Sequence, residues 1–273
     1  MDRHQRLSAL VELIVDRGAI RVDDAVRELG VSAATVRRDL DALADQQLIT
    51  RTRGGARANA ATGDVPMRYR AVVKPAEKTA IARTCAQLVA PGEVVGCNGG
   101  TTTTLAAYEL GVRVSAEDVF EDNGITVVTN AVNIANDLVV RPRVRVVVTG
   151  GVVRSRSYEL IGPLSDLILP SISIDTLFLG VNGVEADKGI FANHEGEAAV
   201  NAALVRAAQK VVVVADSSKI GVSAFARITT IDKVDALVTD TGADAQVLAK
   251  LRRQGVEVHL AQTSAVPEAS AQS

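Results

Sequence analysis

Apolar residues recur along the first 45 positions at helical spacing. Leu7, Leu10, Val11 and Ile14 fall at i, i+3, i+4 and i+7, one stripe that predicts a helix closed by Gly18. Ala25, Val26 and Leu29 predict a second helix, with Asp23 and Asp24 in its first turn, where the helix dipole favours acids, and Gly30 at its end. Val36, Leu40 and Leu43 form the buried face of a third, whose start Ser32 can cap by accepting a backbone N–H. Beyond residue 47 the pattern changes. Leu48-Ile49-Thr50-Arg51-Thr52-Arg53-Gly54-Gly55-Ala56-Arg57 is rich in β-branched residues around a glycine pair, which predicts a hairpin. Three helices followed by a hairpin make a winged helix-turn-helix over residues 1–57.

Residues 58–74 lack periodicity, contain Gly63 and Pro66, and read as a linker. From Lys78 onward helical patterns alternate with continuous apolar runs at residues 94–97, 125–128, 144–148, 176–180, 211–214 and 236–238. Strands that are apolar on both faces belong in a mostly parallel sheet covered by helices, so residues 75–262 predict a larger, Rossmann-like α/β domain. Residues 263–273, rich in Ala, Ser and Gln, read as a disordered tail. The runs end in Asn98-Gly99-Gly100-Thr101, Thr129-Asn130, Thr149-Gly150-Gly151, Asn182-Gly183, Asp216-Ser217-Ser218-Lys219 and Thr239-Asp240. Ligands of open α/β sheets bind at such carboxyl ends.

Composition narrows the classes. A chain of 273 residues has room for two domains, and 47% apolar residues can build a core for each. Cys85 and Cys97 are too few for a disulfide framework and lack metal-site spacing. The N-terminus is too polar for a signal peptide to be expected. The most apolar stretch, residues 167–184, is interrupted by Pro170, Asp175 and Asn182, so a protein of the cytoplasm without a membrane partner is expected. A net charge of −2 argues at first against nucleic acid. The charge is uneven, however: residues 1–57 carry ten Arg and nine Asp or Glu, a net of +1 against −3 for the remainder. Within residues 32–57, five Arg face three Asp.

On the third helix, Ser32, Ala34, Thr35, Arg37, Arg38 and Asp41 lie opposite the apolar stripe. Arg can bond guanine or grip phosphate, and Ser and Thr can bond bases or backbone; the bland alternative is a solvated face with an Arg37–Asp41 pair. The segment 98–104 precedes a helix expected to begin near Leu105. Its glycines free backbone N–H groups and its threonines add hydroxyls, as a phosphate cradle requires, although a plain polar turn has the same look. It is neither a dinucleotide fingerprint nor a nucleotide-triphosphate loop. Asp216 and Lys219 suit a sugar hydroxyl and a phosphate, with Glu197 at a helix start; a structural ion pair is the alternative. His194 and His259 read as solvated, and Lys78 lies in a packing stripe with Ile81, Ala82, Cys85 and Val89.

The segment Gly30-Val31-Ser32-Ala33-Ala34-Thr35-Val36-Arg37-Arg38-Asp39-Leu40-Asp41-Ala42-Leu43, followed by Arg51-Thr52-Arg53-Gly54-Gly55-Ala56, resembles the N-terminal module of DeoR-family regulators, which read V-S-x-x-T-[IV]-R-R-D-L and then R-x-H-G-G-A. Arg53 stands where that family usually has His. Glu77-Lys78, the glycine and threonine loop, Val128-Thr129-Asn130, Gly150-Gly151, Gly162, Asp175, Phe178, Gly180, Glu197-Ala198 and Asp216 with Ser218, Lys219 and Gly221 resemble the family's effector domain in order, so the likeness spans about residues 3–241. The resemblance implies a fold related to ribose-5-phosphate isomerase and coenzyme A transferases. It implies a homo-oligomeric repressor, dimer or tetramer, of genes for sugar metabolism or uptake, without catalysis, cofactor or metal. Its partners would be double-stranded operator DNA and a phosphorylated sugar or related metabolite.

The DNA contacts then expected are Ser32, Ala34, Thr35, Arg37, Arg38, Arg51, Arg53, Gly54 and Gly55. Those to the effector are Asn98, Gly99, Gly100, Thr101, Thr102, Thr103, Asn130, Gly150, Gly151, Glu197, Asp216 and Lys219. Asn98 stands where the family usually has Asp, which removes a negative charge and adds donors. The rival reading is an isomerase-like enzyme with Asp216, Glu197 and Lys219 as acid–base groups and a DNA-binding appendage.

Overall fold

The computed structural model describes residues 2–17, 19–45, 49–58, 67 and 73–263. The expected linker and tail lie, apart from residues 58, 67, 73, 74 and 263, outside these described residues, as does the helix end expected at Gly18. Contacts divide the chain into two compact units, residues 1–73 and 74–273.

The first unit runs α1 (Arg3–Arg17), β1 (Ala19–Arg21), α2 (Val22–Leu29), α3 (Ala33–Asp45), β2 (Ile49–Thr52) and β3 (Gly55–Ala58). Leu7, Leu10, Val11 and Ile14 of α1 meet Val36, Leu40 and Leu43 of α3 in one core, closed by Ile20, Ile49 and Ala56 from the strands. Gly30 ends α2 in the left-handed region, at φ 64°, with its N–H returned to the Val26 carbonyl. β1 is an element the pattern did not announce, because three residues carry no period. It pairs antiparallel with β3 to give the order β1-β3-β2.

The second unit contains α4 (Pro75–Gln87), β4 (Val94–Cys97), α5 (Thr101–Ala116), β5 (Ile125–Thr129), α6 (Val132–Leu138), β6 (Val144–Val148), β7 (Val152–Arg154), β8 (Glu159–Ile161), β9 (Ile174–Gly180), β10 (Gly183–Glu185), β11 (Gly189–Ala192), α7 (Glu195–Ala207), β12 (Ala208–Val214), β13 (Ala226–Thr229), β14 (Ala236–Asp240), α8 (Ala245–Arg253) and β15 (Glu257–Ala261). Seven strands form a parallel sheet in the order β15-β14-β12-β9-β4-β5-β6. Six are the expected apolar runs. The seventh, β15, is an edge strand that alternates polar and apolar residues. A hairpin of β7 and β8 and a small antiparallel sheet of β10, β11 and β13 complete the unit.

Side chains alternate across the strands into two cores. Phe178, Val212 and Val214 face Ile81 and Cys85 of α4, Leu110 of α5 and Ile134 of α6. Leu177, Leu179, Val211 and Val213 face Ala203 and Leu204 of α7, Leu248 and Leu251 of α8, and the small sheet. Both cysteines are free and buried; burial raises both thiols, Cys97 to about 12. β4 is central: β5 and β6 follow it outward on one side, whereas β9, β12, β14 and β15 lie on the other. Strand order therefore reverses between β4 and β9, and the crevice outside their carboxyl ends is where such a sheet takes a ligand.

Candidate functional site

The face of α3 is organised from its first turn. Ser32 Oγ accepts the Thr35 N–H at 3.2 Å and pairs with the Thr35 hydroxyl at 2.9 Å. With Val36, Leu40 and Leu43 wholly buried, Ala34, Arg37 and Arg38 are left exposed. The Arg37–Asp41 pair of the alternative reading is absent among the described residues. Asp41 receives Arg51 Nε from the wing at 2.9 Å, and Arg51 Nη1 donates to the Gly55 carbonyl at 2.7 Å. Arg51, expected on DNA, thus ties β2 to α3. Gly55, also expected there, is buried in β3, where a Cβ would collide with the Ile20 carbonyl oxygen and lie 3.0 Å from Arg21 Cα. Arg53 and Gly54 occupy the exposed turn, Gly54 at φ 84°.

The pattern passed over Asp39. It is buried on the apolar stripe of α3 and bonded by both Nε and Nη2 of Arg6 on α1. An acid three residues after Val36 and next to Leu40 was a legible signal, because a buried carboxylate requires a partner.

At the reversal point, Asn98 is nearly fully buried and spans the tips of β4 and β9. Its Oδ1 accepts the Gly180 N–H at 2.7 Å, and its Nδ2 donates to the Gly180 carbonyl at 2.8 Å. The side chain expected at the ligand thus also clasps the two strands. α5 begins at Thr101 rather than near Leu105, so the threonines form its first turn. Four successive β-branched polar residues read as loop, but Thr103 and Thr104 donate their hydroxyls to the Gly100 carbonyl at 3.1 and 2.7 Å and hold the turn. The hydroxyls of Thr101 and Thr102 make no hydrogen bond among the described residues. They stand at the positive end of a sixteen-residue helix.

The β7–β8 hairpin, which the sequence did not announce, reaches this loop. Glu159, buried on β8, accepts the Gly99 N–H at 2.9 Å, so one donor expected for an effector is already engaged. Arg154 on β7 lies 3.3 Å from Glu197, so that carboxylate is paired within the protein. Asn130, fully buried, gives Nδ2 to the Leu160 carbonyl at 3.4 Å and leaves its Oδ1 without a partner among the described residues. Gly150 and Gly151 pack under residues 161–165: Ser165 Oγ donates to the Gly150 carbonyl at 2.6 Å, and a Cβ on Gly151 would lie 2.8 Å from the Ile161 carbonyl oxygen. They provide a close backbone approach, not an open cradle. Asp216 caps the turn after β12 by accepting from Ser218 N–H at 3.0 Å, and Lys74, which precedes α4, donates to Ser217 Oγ at 2.8 Å. Lys219 has its own partner within the protein, as has the buried Lys78 on α4. Among the described residues no His, Cys, Asp and Glu group is placed to hold a metal, and no helix is long and apolar enough to cross a membrane.

A winged helix-turn-helix carried on the same chain as a parallel-sheet domain with a crevice at its strand reversal is the architecture of a transcriptional regulator with a built-in sensor. Residues 6–62 match the DeoR-like helix-turn-helix domain and residues 73–241 the DeoR C terminal sensor domain. The chain belongs to the DeoR family. It is 29% identical to the glycerol-3-phosphate regulon repressor of Escherichia coli (strain K12), over 95% of this chain and 100% of that one. It is 34% identical to the transcriptional regulator GlpR of Haloferax volcanii, over 93% and 96%. Among solved structures, ribose 5-phosphate isomerase A from Methanocaldococcus jannaschii overlaps 52% of each chain at 20% identity, with a TM-score of 0.38.

Proposed function

We propose that this chain is a homo-oligomeric repressor of genes for sugar metabolism or uptake, working in the cytoplasm, and that a phosphorylated sugar or a related metabolite controls its hold on operator DNA. Residues 1–57 read DNA, with Ser32, Ala34, Thr35, Arg37 and Arg38 of α3 toward the major groove and Arg53 and Gly54 of the wing toward the backbone. Residues 75–262 sense the effector, and residues 58–74 connect the two. The observation that carries the effector class is the first turn of α5. Thr101 and Thr102, whose hydroxyls are uncommitted among the described residues, open a helix that starts just beyond the carboxyl end of β4, where the strand order reverses, a setting that favours an anion. Asn130, whose Oδ1 has no partner among the described residues, stands at the end of the neighbouring β5 and suits a hydroxyl donor. The Escherichia coli relative is a glycerol-3-phosphate regulon repressor, which supports a phosphorylated polyol or sugar as the chemical class.

A thermal-shift panel of phosphorylated sugars, paired with a mobility shift on the chain's own promoter, tests the reading. At a hundredfold excess over Kd a bound effector adds about 2.7 kcal/mol, so one phosphorylated sugar raises Tm and changes promoter affinity, while its unphosphorylated form does neither. No Tm shift with any member of the panel rejects the sensor assignment. Turnover of a pentose phosphate would instead favour an enzyme.

A further inference from the structure

The DNA-reading unit has a cleft beside its recognition face. It lies between the N-terminal end of α1 and the near edge of α3, holds about 460 Å³, and is lined by Arg3, Arg6, Thr35, Arg38 and Asp39. Three guanidinium groups face one carboxylate, and that carboxylate is already neutralised by Arg6. We infer that this cleft is a clamp for a backbone phosphate of double-stranded DNA, in which Arg3 and Arg6 grip the phosphodiester oxygens and Asp39 sets the direction of the Arg6 fork. The inference rests on the reading that α3 lies in the major groove.

Four observations carry it. Arg6 is held from two of its nitrogens, Nε and Nη2, by Asp39, so its guanidinium has a fixed plane and keeps N–H groups for a second acceptor. The pair is largely withdrawn from water, with side-chain exposures of 15% for Arg6 and 5% for Asp39. A buried pair of this kind adds little net stability, while its two bonds fix the direction of the Arg6 fork. Thr35 and Arg38 are one turn apart in the N-terminal half of α3, so the positive end of that helix opens on the same cleft. Finally, Arg3 and Arg6 lie on the first turn of α1, beside the N-terminal half of α3, so a sugar–phosphate strand bordering the groove that α3 enters would run past both. A module with a net charge of only +1 thereby gains a local excess of two positive charges where a phosphate would pass.

A phosphate contact is sequence-independent and appears in the salt dependence of binding. The affinity of the full-length protein is measured by fluorescence anisotropy against its promoter duplex and a random duplex across a salt series. Arg3→Gln is expected to weaken both duplexes by the same factor, about three- to tenfold near 0.1 M salt, and to flatten the slope of log K against log salt by about one. Arg6→Gln alone strands the Asp39 carboxylate and threatens folding, so Arg6→Gln is combined with Asp39→Asn to leave neutral amides in place of the ion pair. That double variant is expected to lose a further unit of slope.

An unchanged slope in either folded variant overturns the clamp. Arg37→Ala serves as the control for the underlying reading, since it should lower the promoter-to-random ratio. If that ratio falls while the Arg3→Gln slope is native, only the clamp is wrong; if Arg37→Ala leaves the promoter bound as before, the placement of α3 is wrong as well. Inorganic phosphate at constant ionic strength is expected to leave Tm unchanged. A rise that Arg3→Gln abolishes would assign the cleft to a free anion and overturn the DNA clamp.

Discussion

Asn98 and Gly180 exchange two hydrogen bonds across the tips of β4 and β9, with the amide of Asn98 serving as donor and acceptor to one backbone unit 82 residues away. Only a side chain with both functions on one plane can do this. Asn98→Asp keeps the acceptor but sets a carboxylate oxygen against the Gly180 carbonyl. We expect a loss of about 1 to 3 kcal/mol in urea unfolding at pH 7. The introduced carboxyl, buried and facing a carbonyl, has a folded-state pKa raised above its unfolded value of about 3.9. Its penalty is therefore relieved as the pH falls toward that unfolded value and grows as the pH rises above it. Equal gaps between variant and parent at pH 7 and pH 4 would show that the clasp is not formed.

Gly99 and Glu159 are matched in the same region. A Cβ on Gly99 would overlap Glu159 Cγ and lie 2.7 Å from Cδ. Gly99→Ala should cost about 1 to 3 kcal/mol by overpacking. In a Glu159→Ala background the same substitution should cost at least about 1 kcal/mol less. A double-mutant cycle by chemical unfolding measures the difference, and strict additivity would contradict the contact.

For the wing, Arg51 and Asp41 form a pair exposed by 32% and 59%, so Arg51→Ala should change unfolding free energy by less than about 1 kcal/mol. Arg53→Ala, at the exposed turn, should leave Tm at its native value while lowering promoter affinity. Calorimetry and anisotropy on the same two proteins separate the tie from the contact; a lower Tm for Arg53→Ala would count against this division.

Burial raises both cysteine thiols, which pack in one core. Neither should react with a thiol reagent in the native protein at pH 8, and both should react at once in 6 M guanidinium, because the thiolate is the reactive form and water does not reach them. Prompt native labelling would show that the core opens on the timescale of the assay.

Apolar runs marked six parallel strands because both faces of each are buried, and the stripes of α1 and α3 marked the small core for the same reason. What escaped was short or half covered: β1, the β7–β8 hairpin and β15 alternate or are too brief to carry a period. The candidate site divided along a similar line. The polar ends of β4, β5 and β12 were visible as motifs, but which of their groups are already engaged depends on partners far along the chain. Gly180 decides Asn98, and Glu159, 60 residues away, decides Gly99. Arg154, 43 residues from Glu197, does the same there. Local spacing carries none of this. Asp39 is the opposite case, since its place on an apolar stripe alone announced that a cation had to meet it.

Chain order also dictates assembly. β4 is synthesised first among the strands of the large sheet yet ends in its middle, so its amide at Asn98 waits for Gly180 to be made, and the far edge closes only when β15 is complete. Parallel pairings of such long sequence separation form slowly and leave strand edges open in the meantime. Among the described residues, the core and strand pairings of the first unit are made within the first 58 residues. During translation the two units thus mature on different clocks, and chaperone demand and aggregation should fall on the half that carries the sheet.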